Sequence, residues 1–156
     1  MISREKFQSA QEQAREYLAR AGIVITPEEA AGIEVADFGL NELDDTGLEL
    51  VVYVNTDRVC AKELVMFAGQ ECPEHRHPPV DGEPGKEETF RVRRGSVRLW
   101  VDGDGEVVLG PGEQHTIPPD TLHRFRAGDE GAIVSEFSTR SRDELDVFTD
   151  PRVRRV

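Results

Sequence analysis

The sequence predicts a mainly β single domain, an antiparallel sandwich or barrel preceded by two N-terminal helices. Three observations carry that expectation. From Leu48 onward the chain is a succession of short β-branched and aromatic runs, turn residues punctuate them closely, and no helical period falls between them. The 156 residues suffice for one core and fall short of two domains of ordinary size.

Residues 3–21 place Phe7, Ala10, Ala14, Tyr17 and Leu18 near the helical period with charged residues between them, and Gly22 closes that helix. Thr26-Pro27-Glu28-Glu29 is a capping box with proline at the first helical position, so a short helix follows and stops near Gly32. Residues 1–34 are therefore expected to form a helical segment packed on a barrel over 35–156. Strands are expected at 48–55, 61–67, 72–77, 86–93, 96–101, 105–109, 114–117, 121–126 and 131–138. Gly69, Pro78-Pro79, Gly95, Asp102-Gly103-Asp104-Gly105, Pro111-Gly112 and Gly128 mark the turns between them. The polar stretch from Asp143 to Val156 either packs across a barrel end or stays loose.

Composition narrows the partners. With 31 acidic against 19 basic residues the net charge is -12, which disfavours nucleic acid and anionic lipid. No apolar run has the length of a membrane span and the first residues are not signal-like, so a cytoplasmic protein is expected. Cys60 and Cys72 make no disulfide framework, in keeping with a reducing compartment. Cys72 precedes His75 by three positions, so it is either a thiolate ligand or a small buried strand residue.

Strand alternation gathers a site. His75 and His77 share a face and Arg76 takes the other. Lys86 and Glu88 share a face with Phe90 and Val92, and His123 shares one with Phe125, so the apolar members mark these positions as inward. Three His and one Glu facing inward suit Mn(II), Fe(II), Co(II), Ni(II) or Zn(II), one divalent metal per chain. Lys62 shares a face with Leu64 and Met66, but a lysine at a strand end also reaches outward easily. Lys86 has an alternative as a solvated loop lysine. Parity leaves Glu136 open, because Val134 is on its face while Ile133 and Phe137 are on the other, and an edge or dimer-contact carboxylate is the competing reading. His115, the fourth histidine, is expected outside the ligand set.

Gly69-x5-His75-x-His77 with Glu88-x6-Gly95 resembles the first cupin motif, and Gly112-x5-Pro118-x-Asp120-x2-His123 resembles the second. Two departures occur: a longer spacing from His77 to Glu88, taken up by PPVDGEPGKE as a loop at the barrel mouth, and Asp120 in place of a usual glycine. The blocks VYVNTDRVCAKELVMF, ECPEHRHPPVDGEPGKEETFRVRRGSV, TIPPDTLHRF and DVFTDPRV are similar to the D-lyxose isomerase family of cupins. That resemblance implies a cupin jelly-roll, or double-stranded β-helix, and a sugar isomerase, an intramolecular oxidoreductase. The family interconverts aldoses and ketoses, chiefly D-lyxose with D-xylulose and also D-mannose with D-fructose, usually with Mn(II). Carried over by position, it implies His75, His77, Glu88 and His123 as ligands, Lys86 in the site and Glu136 in proton transfer. A homodimer is expected from the same resemblance and from Trp100, placed beside Arg98 on the outside. The segment between Trp100 and Gly110 is shorter than in the family, which trims one wall of the pocket and leaves sugar preference open.

Such chemistry needs these parts. Moving a carbonyl between C1 and C2 requires a base for the proton and positive charge to stabilise a cis-enediolate. Glu136 suits the first task, and the metal with Lys86 the second. Lys62 would touch sugar hydroxyls. The rival readings are another metal-dependent cupin enzyme such as an iron dioxygenase, and a non-catalytic sugar-binding cupin.

Overall fold

In the computed structural model, residues 1–154 are described, so the last two residues of the segment expected over 35–156 lie outside them. Helix α1 spans Arg4–Arg20; the Ser3 side chain caps it by accepting from Lys6 N at 3.1 Å, and Gly22 follows with φ 72°. Helix α2 spans Pro27–Ala31 and carries the full capping box, with Glu29 N donating to Thr26 Oγ1 and Thr26 N donating to the Glu29 carboxylate.

Among the described residues nine strands follow: β1 Glu34–Ala36, β2 Leu48–Asn55, β3 Cys60–Met66, β4 Glu71–Arg76, β5 Glu88–Val101, β6 Gly105–Leu109, β7 Gln114–Ile117, β8 His123–Ser138 and β9 Val147–Phe148. A 3-10 turn, Asp143–Leu145, precedes β9. All named strand pairs are antiparallel, in the order β1-β2-β3-β8-β4-β9, with β5 joining β8, β6 and β7. Both β5 and β8 bend and pair with each other along their length, so the sheet curls into a jelly-roll barrel.

Two corrections concern those long strands. The runs expected separately at 86–93 and 96–101 are one strand, as are 121–126 and 131–138. Gly95 and Gly131 adopt positive φ at irregularities in the ladder, where a Cβ on Gly95 would stand 2.0 Å from the Gly131 carbonyl oxygen. Glycine therefore lets two strands approach at a bulge instead of reversing the chain. Lys86 also lies before β5 begins, and β1 and β9 had no counterpart among the expected strands.

Two apolar clusters lie on opposite sides of the sheet. The barrel interior packs Leu48, Leu50, Leu64, Phe90, Leu99 and Phe125, among others. Outside, Ala14 and Leu18 of α1 pack with Ile33, Val51, Val65 and Ile133. Those strands are thus apolar on both faces where the helix covers them. Glu49 lies buried on the helix-covered side with neither carboxylate oxygen hydrogen-bonded among the described residues, and burial pushes its carboxyl up to about 8, weakly opposed by Gln70.

Candidate metal centre and active site

One end of the barrel interior is polar where the rest is apolar. His75 on β4 faces His123 on β8 as a ladder partner, and His77 lies one residue past β4. Glu88 opens β5 between Ile117 and Ser138. All four are buried, and one ring nitrogen from each histidine lies within 4.8 Å of the others.

The orientation of each ring is fixed from behind. His75 Nδ1 is 2.8 Å from the Pro73 carbonyl oxygen, His123 Nδ1 is 2.9 Å from that of Thr121, and His77 Nδ1 is 2.5 Å from Asp146 Oδ1. A carbonyl only accepts, so His75 and His123 donate from Nδ1 and, when neutral, turn a bare Nε2 inward. Glu88 Oε1 stands 3.1 Å from His77 Nε2 and 2.9 Å from His123 Nε2. The second contact is close yet not aligned as a hydrogen bond, and His123 Nε2 has no hydrogen-bond partner among the described residues. Groups aimed at a common point rather than at each other give that geometry. A buried, orphaned imidazole nitrogen beside two more and a carboxylate is a donor set that fits a divalent cation. Cys72 is buried with Sγ 4.0 Å from His75 Nδ1, the nitrogen turned away from that point.

Lysine and carboxylate side chains continue the site. Lys86 Nζ lies 2.9 Å from Glu136 Oε1, 2.8 Å from Glu88 Oε2 and 3.8 Å from Asp143 Oδ1. Lys62 Nζ donates to Asp143 Oδ2 at 2.6 Å and to Ser141 Oγ at 2.9 Å. Lys62, Lys86 and Glu136 are all buried, against the solvated and edge alternatives that parity left open. Register decides Glu136: its partners across the ladder are Lys62 and Phe90, and Phe90 is core. Ile133 had obscured this because the opposite face of β8 is covered by α1.

Charge in the cluster follows burial and proximity. Burial, reinforced by His123 and His77, holds His75 well below its ordinary range. Burial opposes charge on His77 too, but the Glu88 and Asp146 carboxylates outweigh it and push its imidazole up to about 9. Burial likewise disfavours the Lys86 ammonium, and Glu136, Glu88 and Asp143 more than compensate, so it titrates well above the usual lysine range. Against its own burial, Glu88 is held well below the carboxylate range by Lys86 and His77.

Sequence reasoning missed Ser141, Asp143 and Asp146, which reach the site from the C-terminal segment. Strand β9 pins that segment to β4, with His75 opposite Phe148 and Arg76 opposite Val147. Its local signals were the two-residue Val147-Phe148 run and the block DVFTDPRV, neither of which assigned these side chains to the site. Residues 78–85 do lie at the barrel mouth: Val80 and Glu83 exchange backbone hydrogen bonds around Asp81-Gly82, both at positive φ. Gly85 is needed there, since a Cβ would stand 2.4 Å from the His77 carbonyl oxygen. A cavity of about 250 Å³ at this mouth is lined by Pro78, Pro84, Arg140, Arg142 and Leu145. A smaller space of about 40 Å³ lies inside, beside Lys62, Phe90 and Glu136, and the two share His77, Lys86 and Asp146. His115 lies away from the cluster, paired with Asp104 at 3.0 Å. Trp100 is half-buried, with the Arg124 guanidinium 4.0 Å over its ring.

A curled antiparallel barrel with three histidines and a glutamate converging inside it is the architecture of a cupin, and residues 63–135 match the family described as "Cupin domain". The solved L-ribose isomerase of Cellulomonas parahominis with L-ribose superposes with a TM-score of 0.81, covering 97% of this chain and 94% of that one at 15% identity, which speaks for the fold. Across its whole length the chain is 56% identical to the D-lyxose/D-mannose isomerase of Thermosediminibacter oceani, covering 97% of that protein. It is 52% identical to the D-lyxose ketol-isomerase of Cohnella laeviribosi, over 97% of this chain and 94% of that protein. The chain belongs to the D-lyxose isomerase family, and is an enzyme that interconverts aldoses and ketoses. Its alignment with the T. oceani protein is longer than the chain itself, so that relative carries residues with no counterpart here.

Proposed function

We propose that this protein interconverts D-lyxose and D-xylulose, and D-mannose and D-fructose, by proton transfer through a cis-enediolate. The observation that carries this reading is the bridge that Lys86 makes between Glu136 and Glu88, the carboxylate beside the convergent His75, His77 and His123. Full-length similarity to D-lyxose isomerases supports the choice of sugar.

His75, His77, Glu88 and His123 would hold one divalent metal, Mn(II) first among the candidates, with Co(II), Fe(II), Ni(II) and Zn(II) able to use the same donors. When bound, such a cation would supply positive charge that stabilises the developing enediolate. Glu136 takes the proton from C2 of the aldose and returns it to C1, a step typically worth about a hundredfold to ten-thousandfold. Lys86 holds Glu136 in place at 2.9 Å and keeps an ammonium beside the developing enediolate charge. Lys62, anchored by Asp143 and Ser141, offers donors to the sugar hydroxyls. The outer cavity has the room for a monosaccharide, and the hairpin at 80–83 forms part of its rim.

The setting follows from the same reading. Two buried cysteines, neither of them in a disulfide, suit a cytoplasmic enzyme. A homodimer would cover apolar side chains on the outside, such as Val59 and Phe137, each more than half exposed. Trp100 already lies under Arg124 and is a weaker candidate for that contact.

Incubating the manganese-loaded protein with D-lyxose in D2O and following it by NMR tests the proposal. D-Xylulose carrying solvent deuterium at C1 is expected. Ketose free of deuterium would favour hydride transfer over the proton route, and oxygen consumption on loading with Fe(II) would favour the dioxygenase alternative.

A further inference from the structure

The geometry points to Asp146 as a positioning residue for the metal centre, acting through His77; this assignment rests on the metal site proposed above. Asp146 precedes β9, whose register with β4 sets His75 against Phe148 and Arg76 against Val147. One step further along the same antiparallel ladder, Asp146 falls opposite His77. There its Oδ1 comes within 2.5 Å of His77 Nδ1, with side-chain exposures of only 3% and 8%. The segment is anchored on its far side by Thr149 N, which donates to the Glu74 carbonyl at 3.1 Å. Phe148 stacks on the His75 ring, 5.1 Å between centroids and 27° between planes.

His77 differs from the other two histidines in what holds it. His75 and His123 each find the carbonyl two residues upstream, those of Pro73 and Thr121. His77 stands where β4 ends and the chain turns into Pro78 and Pro79, and its partner is a carboxylate delivered from the C-terminal segment. A carboxylate accepts more strongly than a carbonyl, so it orients the ring and makes Nε2 the better electron donor. Segment 146–148 thus forms a wall of the metal site and not a trailing tail.

Cobalt binding distinguishes this from a merely structural contact. Asp146→Asn keeps the size and one acceptor oxygen but removes the charge; Asp146→Ala removes both. The apo forms of parent and variants are titrated with Co(II), reading affinity by calorimetry and geometry from the visible absorption of the bound ion. Affinity should fall about 10- to 100-fold in the alanine variant and by less in the asparagine variant, with an altered cobalt spectrum. Parent-like affinity and spectrum in both variants would overturn the assignment, even if their apo forms melt earlier. A parent that binds no cobalt would instead overturn the metal site itself, and this assignment with it. The parent offers a check that needs no substitution: in the Zn(II)-loaded protein the Nδ1 proton of His77 should resonate downfield of those of His75 and His123. Three equivalent resonances would contradict a carboxylate partner at His77 alone.

Discussion

Replacing Glu49 with Gln should shift stability in the variant's favour by an amount that grows with pH, leaving it no more stable than the parent near pH 4.5 and more stable at pH 8. Glu49 is wholly buried between the sheet and the helical layer, its carboxyl pushed up to about 8 chiefly by loss of solvent. In the unfolded chain the proton leaves near the ordinary value of 4.5, while the folded state keeps it until about 8. Folding therefore requires Glu49 to hold a proton that the unfolded chain releases, so stability falls as pH rises through this window. Each pH unit costs about 1.4 kcal/mol, giving about 3 kcal/mol at pH 7 and about 5 kcal/mol at pH 8 and above. Gln is neutral in both states and escapes this term, although its amide adds buried donors at a pH-independent cost of about 1–3 kcal/mol. The diagnostic is thus the slope of the difference. Urea denaturation of chelator-treated parent and Glu49→Gln protein at pH 4.5, 6, 7 and 8 should show the variant gaining on the parent by about 3–5 kcal/mol across the range. A difference that does not change with pH would refute the reasoning, because it would mean that Glu49 is ionised and paired in the folded state.

Other outcomes bear on the site directly. Glu136→Gln should lower kcat by about a hundredfold to ten-thousandfold while Mn(II) affinity, measured by calorimetry, stays close to the parent value. Lys62→Met should raise KM for the sugar about tenfold, equivalent to about 1.4 kcal/mol, with kcat little changed, as expected for a group that binds substrate and transition state alike. Stripping the metal should lower the melting temperature by roughly 5 to 10 °C when the comparison is made at a free metal concentration near a hundred times Kd, and equal melting with and without chelator would count against a bound cation.

Much of the convergent cluster was open to sequence reasoning because alternation on a strand is a local property. Glu88 and His123 lie on single strands beside core residues, and a period of two puts both on the inner face, whereas His75 follows an irregularity that sets it three residues after buried Cys72. Glu136 escaped that logic since β8 is apolar on both faces there, with Val134 in the barrel and Ile133 under α1. Only the cross-strand register with Phe90 separates the faces, and register is not visible in one strand. The glycines at 95 and 128 misled for a different reason: turns, bulges and close strand approach all favour glycine, so punctuation alone could not tell a chain reversal from two bent strands crossing. Asp143 and Asp146 were out of reach because a two-residue strand, β9, carries them to a partner some seventy positions earlier. The C-terminal segment is legible only once the barrel end it covers exists.

At the centre of the proposed chemistry, the four convergent residues hold the cation at which the sugar is isomerised. Titrating the apoprotein with Mn(II) while following the conversion of D-lyxose to D-xylulose tests it most directly. The rate should rise in proportion to bound metal and level off at one ion per chain. Ketose formation by the metal-free protein, or none at full occupancy, would contradict it.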